Sequence, residues 1–148
     1  MIAYLDSSAL LRLVLREPGA LPLDELTSSE AIISSELLGV ECPRTIDRLR
    51  LQGLLSTEEA ASRFSVVKDW LEAVDLVRLQ RPILSRASEP FPTPLGTLDA
   101  LHLATALVWR DRMEQELVMA THDGGLATAA RAFGFEVLGS AAKDHPSG

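Results

Sequence analysis

The sequence predicts an α/β domain built on a mostly parallel, five-stranded sheet. Three observations predict it. Short apolar runs alternate with segments of helical periodicity along the whole chain. Several of these runs end at an acid or a hydroxyl that suits the N-cap of the next segment, as in Leu5-Asp6-Ser7 and Thr121-His122-Asp123. The 148 residues are enough to bury a core without disulfide staples.

The elements follow in order. Ile2-Ala3-Tyr4-Leu5 is an apolar run that stops at Asp6, and it reads as a buried strand. Asp6 or Ser7 caps a helix to about residue 16, which Pro18-Gly19 ends. A short helix spans about 21–27. Ala31-Ile32-Ile33 is the second strand, and Ser34-Ser35 then cap a helix over 36–52, interrupted in pattern by Pro43 and stopped by Gly53. Ser56 and Glu59 stand at capping-box spacing and open a helix to about residue 73. Residues 75–79 read as a third strand. The stretch 85–97 carries Pro90, Pro92, Pro94 and Gly96, so it reads as a loop with at most a helical turn before it. A strong helix covers 98–112 with Thr97 as its cap. Residues 117–121 form a fourth strand, Asp123 caps a helix to about residue 133, and 136–138 form a fifth strand. Residues 1–142 thus make one domain, and 143–148 a flexible C-terminal tail.

Composition excludes several classes. One cysteine, Cys42, rules out an internal disulfide framework and a Cys-rich zinc site, and reads as an inert packed thiol. The histidines are scattered and form no H-E-x-x-H pair. No apolar run is long enough to span a membrane, and no basic stretch precedes an apolar one at the N-terminus. A cytoplasmic protein is the expectation. The net charge of −7 argues at first against a nucleic-acid partner, but it is a weak guide where acids gather at a metal. Twelve of the 14 basic residues are arginine, the better fork for phosphate or carboxylate.

The acids carry the chemistry. In an open parallel sheet, ligands bind beyond the carboxyl ends of the strands, where strand order reverses. Asp6 and Asp123 each follow an apolar strand and precede a helix, whose dipole favours a carboxylate. Either acid, taken alone, is accounted for as an N-cap, and Asp99 as a first-turn acid of its helix. Glu41 is harder to explain away: it lies mid-helix on or beside the apolar face. Carboxylates brought together repel unless a cation joins them, and oxygen ligands of this kind suit Mg²⁺ or Mn²⁺.

Four segments carry a resemblance. Tyr4-Leu5-Asp6-Ser7-Ser8-Ala9-Leu10, residues 34–41, Thr97-Leu98-Asp99-Ala100-Leu101-His102-Leu103-Ala104 and Thr121-His122-Asp123 resemble the four motifs of PIN-domain ribonucleases. Within that family the chain is most similar to the VapC-type toxins of bacterial toxin–antitoxin pairs. The likeness covers nearly the whole chain; the first and third motifs are specific and the second is loose. It implies a three-layer α/β/α PIN-like domain of sheet order 3-2-1-4-5, with Asp6, Glu41, Asp99 and Asp123 as catalytic and metal-binding acids around Mg²⁺ or Mn²⁺. It also implies cleavage of RNA to a 5′-phosphate product and a VapB-type antitoxin partner; a homodimer is expected because two-fold assemblies are commonest. In this order Asp6 and Asp123 meet at the switch point, so topology and motif select one place.

Several residues have competing readings. Glu36 lies five positions before Glu41, about 140° around a helix, so only one of them faces the site; Glu36 is read as a first-turn acid and Glu41 as the site residue. Pro43 lacks the N–H for a bond to residue 39 and bears on that helical phase. Ser8 and Thr121 bond Asp6 or a metal-bound water, or else local backbone. His102 is read as a satisfied, partly buried histidine, with contact to the acids as the alternative. Trp70 and Trp109 are read as packing residues. Gly124-Gly125 stand where the family often carries bulkier, basic residues. Leu11, Leu15, Leu21 and Leu26 are candidates for an apolar groove that an antitoxin covers, with ordinary core as the alternative. Arg12, Arg16, Arg44 and Arg48 are read as a solvated face or as contacts to RNA phosphates. A phospho-aspartyl phosphatase or receiver domain is disfavoured, since Ser8 stands where such phosphatases carry a second Asp and no lysine follows a suitable strand. A catalytically silent PIN-fold interaction module is the remaining alternative.

Overall fold

Alternation along the first strand sets the layering. In β1 (Ile2–Leu5), Ala3 and Leu5 face one side of the sheet and Tyr4 the other, all fully buried. The computed structural model describes residues 1–141. The tail expected over 143–148 lies outside the described residues. The strands are β1, β2 (Ala31–Ser35), β3 (Asp75–Val77), β4 (Val118–Ala120) and β5 (Glu136–Leu138). They pair in the order β3-β2-β1-β4-β5, and every pair is parallel. The expected order is therefore present, with the sheet parallel throughout.

Two cores result. On one face α1 (Ser7–Val14), α3 (Leu38–Leu51) and α4 (Thr57–Ala73) bury Leu10, Leu38, Ile46 and Val67 against Ala3, Leu5 and Ala120. On the other, α6 (Thr97–Met113) and α7 (Gly124–Ala132) bury Leu103, Leu107, Leu126 and Ala130 against Tyr4, Ile33 and Met119. A short α2 (Leu23–Thr27) joins α1 to β2. Trp70 packs on the first core and Trp109 on the second. Leu21 and Leu26 are core residues, 5% and 1% exposed; Leu26 also lines an open surface cavity with Ile32 and Trp70, and Leu11 and Leu15 are half-buried against the same core.

The proline-rich region departs from the sequence expectation. Residues 81–87 form a helix, α5 (Arg81–Ala87), rather than a turn and loop. Pro82 lies in its first turn, where the missing N–H costs nothing and the fixed φ favours the helix. Ile83 is buried, and the Arg86 guanidinium lies over the rings of Phe91 and Phe133, which tie the following loop to α7. Gly96, not Thr97, is the N-cap of α6, and Thr97 is its first residue. The third strand is shorter than 75–79 and ends at Val77. Pro43 sits inside α3 without interrupting it, so the helical phase that carries Glu41 is continuous through Pro43.

Candidate active site

The central strands deliver the first acid. β1 and β4 are neighbours with Leu5 opposite Ala120, and β1 pairs with β2 on its other edge. The next residue after Leu5 is Asp6, whose N–H donates to the Ala120 carbonyl at 3.1 Å. Asp6 is 2% exposed, and three protein donors hold its carboxylate. The Thr121 hydroxyl donates to Oδ2 at 2.7 Å, the Ser8 hydroxyl donates to Oδ1 at 2.8 Å, and the Ala9 N–H donates to Oδ1 at 2.9 Å. The last of these is the N-cap bond of α1, so the cap reading and the site reading apply to one side chain. Burial pushes the Asp6 carboxyl above its usual range, against the lowering effect of Thr121, Ala9, His102 and Ser8.

Ser8 and Thr121 thus both serve Asp6. Ser8 Oγ also accepts from the His122 N–H at 3.0 Å, and Thr121 Oγ1 accepts from the Asp123 N–H at 3.0 Å. These two hydroxyls link the ends of β1 and β4. The chain returning from β5 packs closely here: a Cβ on Gly139 would lie 2.6 Å from the Thr121 carbonyl oxygen, and Gly139 has φ +94°. Only glycine fits that crossing without strain.

Asp123 is the N-cap of α7, and its Oδ1 accepts from the Leu126 N–H at 2.7 Å. Gly125 gives this carboxylate room, since a Cβ there would sit 3.3 Å from Oδ1. Asp99 occupies the first turn of α6 and is half-buried. Burial raises its pKa to about 6, with the charges of Asp123, Asp6 and Glu41 adding to the effect and His102 opposing it. The four acids therefore share one electrostatic neighbourhood beyond the carboxyl ends of β1 and β4.

Glu41 reaches this neighbourhood through His102. Its Oε1 lies 2.6 Å from His102 Nε2. Burial pushes the Glu41 carboxyl up, but the His102 hydrogen bond and charge, with Ser7, outweigh it, and the net shift is downward. Glu36 points elsewhere: it precedes α3, and its Oε1 accepts from the Leu79 N–H at 3.0 Å, securing the chain after β3. Cys42, beside Glu41, is a buried free thiol pushed up to about 12 by burial and by the charges of Glu41 and Asp6, so it is protonated and inert at neutral pH.

His102 is more deeply set than the sequence suggested. It is 1% exposed, satisfied at both ring nitrogens, and in contact with an acid of the site. Tyr4 and Ser7, its other partners, were missed in the sequence. A single tyrosine in an otherwise aliphatic strand was the available signal, because a buried phenol needs a partner. Arg44 pairs with Asp47 at 3.3 Å and Arg12 with Glu17 at 3.8 Å, on partly exposed surface.

A family profile described as PIN domain matches residues 3–132. The chain belongs to the PIN-domain family. This PIN domain is 34% identical over 137 residues to Ribonuclease VapC46 of Mycobacterium tuberculosis, covering 91% of this chain and 95% of that protein. It is 30% identical over 138 residues to Ribonuclease VapC47 of the same species, covering 89% and 92%. The domain is thus of the VapC type across nearly its full length, as its motifs implied.

The donor set of this PIN domain fits a hard divalent cation. All four candidate ligands are carboxylates, hard oxygen donors of the kind such a cation takes. Among the described residues, no three His, Cys, Asp or Glu side chains are gathered closely enough to hold a metal ion. Asp6, Asp123 and Glu41 are instead turned to protein donors.

One stability consequence follows. The Asp99 carboxyl is pushed up to about 6 in the folded chain, above the ordinary Asp value of about 4. A raised carboxyl favours the protonated form, so this stability is full below about pH 4 and is lost as pH rises through 6. Asp99→Asn removes the cost of ionisation. In metal-free buffer at about pH 7 it is expected to stabilise the domain by about 1 kcal/mol, because solvent screens this half-exposed carboxylate. Thermal unfolding of both proteins across pH 4–8 checks this: the gain grows with pH, and a gain that is constant or reversed contradicts it.

Proposed function

We propose that this chain is a Mg²⁺- or Mn²⁺-dependent endoribonuclease, the toxin of a type II toxin–antitoxin pair, acting in the cytoplasm. What supports this most is that Asp99 feels the charges of Asp123, Asp6 and Glu41 beyond the carboxyl ends of β1 and β4, in a chain that aligns over 91% of its length with a ribonuclease of the VapC type. Asp6 and Asp99 serve as ligands, Asp123 binds directly or through water, and Glu41 orients or deprotonates the attacking water. A bound divalent ion supplies charge that offsets the phosphate and lowers the pKa of a water nucleophile. Ser8, Thr121 and the Ala9 N–H keep the Asp6 oxygens in a fixed orientation. The Asp123 carboxylate, held by the first turn of α7, faces incoming RNA from the other strand. Glu41, whose net pKa shift is downward, is ionised at neutral pH and able to accept a proton.

A second reading, the catalytically silent interaction module, draws support from the engagement of three of the acids with protein donors and from the lack of a gathered trio among the described residues. The two differ in an expression experiment. Production of this chain is expected to arrest growth and accumulate RNA fragments bearing 5′-phosphates, whereas the silent module leaves RNA intact. A VapB-type antitoxin is expected to be a short protein encoded beside this chain. It inserts a basic side chain among the acids, where an arginine fork matches carboxylates and replaces the metal's charge. Co-expression of that reading frame should restore growth and copurify with the chain. A homodimer is the expected assembly of the toxin. No described helix is long and apolar enough to cross a membrane.

A further inference from the structure

A chain of buried polar groups runs from the middle of the sheet to Glu41 across both helical layers. Tyr4 lies in the central strand, fully buried, with its ring edge against the His102 ring. Its hydroxyl is 2.7 Å from His102 Nδ1. On the other side of the imidazole, Nε2 is 2.6 Å from Glu41 Oε1 and 3.1 Å from Ser7 Oγ. Tyr4 belongs to the core beneath α6 and His102 to α6 itself, while Glu41 belongs to α3 on the opposite face. The imidazole thus bridges the two layers at the carboxyl end of the sheet.

Hydrogen-bond chemistry sets the direction of the chain. An ionised carboxylate only accepts, so Nε2 carries the proton shared with Glu41. With a neutral ring Nδ1 is then an acceptor and the Tyr4 hydroxyl donates to it; with a protonated ring Nδ1–H donates to the Tyr4 oxygen. Such a trio in a core costs more than apolar residues of the same volume. Its cost is matched by what it does: it holds the Glu41 side chain by one oxygen and leaves that side chain 17% exposed.

We propose that Tyr4 and His102 are positioning residues for the nuclease reaction: Tyr4 orients the His102 imidazole, and His102 Nε2–H fixes the Glu41 carboxylate where it addresses the attacking water. This rests on the nuclease reading above. It makes Glu41 a preset group, placed by the sheet rather than by its own helix alone.

The test uses the full chain and a single-stranded RNA reporter with saturating Mn²⁺, together with ¹⁵N spectra of the imidazoles in the metal-free protein. His102→Leu is expected to lower kcat by about tenfold or more with KM within about twofold. His102→Gln, which keeps a donor near the Nε2 position, restores part of that loss. Tyr4→Phe retains the packing, loses only the hydroxyl, and lowers kcat by a smaller factor, so a misfolded His102→Leu leaves the proposal open to refutation. In the Glu41→Gln background, His102→Leu adds little further loss, because both changes break one unit. The spectra are expected to show His102 protonated at Nε2. A bare Nε2, a His102→Leu enzyme at wild-type kcat, or equal losses in both backgrounds overturns the positioning role. A wild type that never cleaves RNA overturns the nuclease reading, and this role with it; a wild type that cleaves while His102→Leu is unimpaired overturns only the latter.

Discussion

Asp6→Asn is expected to abolish metal-dependent RNA cleavage, by a factor on the order of a hundred or more, while the domain still folds. The loss follows from chemistry: the substitution removes one negative charge from the group that is to hold a divalent ion. The survival of the fold follows from geometry. An asparagine still offers an oxygen to the Ala9 N–H, which caps α1. Thr121 and Ser8 meet the other side-chain atom through hydroxyls, which rotate from donating to accepting. Removing a buried charge whose pKa is raised also relieves a cost of folding. Cleavage rates and thermal midpoints of the variant and wild type check this together. A variant that unfolds, or one that cuts RNA at the wild-type rate, contradicts the role given to Asp6.

Glu41→Gln and Glu36→Gln are expected to separate cleanly. Loss of a general base or water-orienting carboxylate costs on the order of a hundredfold in rate. Glu41→Gln removes the carboxylate that His102 holds at the site. Glu36→Gln keeps a side-chain carbonyl oxygen for the Leu79 N–H, which its carboxylate accepts at 3.0 Å, so its rate stays within about twofold of wild type. Initial rates on one RNA substrate decide the matter. An inactive Glu36→Gln with an active Glu41→Gln would move the site role from Glu41 to the residue before α3.

The legible parts of the molecule were those written locally. Apolar runs of three to five residues marked β1, β2 and β4, and the acids or hydroxyls after them marked where helices begin. Asp6 and Asp123 were readable twice over, as caps and as acids at strand ends, because a helix N-terminus at a switch point serves both purposes. The α5 helix was hidden by its length: seven residues, with Leu84 exposed, carry too little periodicity to stand out against neighbouring prolines. Pro82 was nevertheless the right residue for a first helical turn. Of the four leucines offered for an apolar groove, Leu21 and Leu26 belong to the core and Leu11 and Leu15 pack against it, because hydrophobicity alone does not say which side of a residue is covered. The Tyr4–His102–Glu41 chain was not legible, since its members are 98 and 61 positions apart in sequence and meet only through the sheet order.

The central claim is that these four carboxylates make a metal-dependent nuclease. It is tested most directly by incubating the purified wild-type chain with single-stranded RNA in excess chelator, then adding Mn²⁺ or Mg²⁺ beyond the chelator, with Asp6→Asn alongside. The account predicts no cleavage in chelator, cleavage to 5′-phosphate products once the ion is added, and none from Asp6→Asn under either condition. Full cleavage by the wild type in excess chelator, or RNA left intact with the ion present, would contradict it.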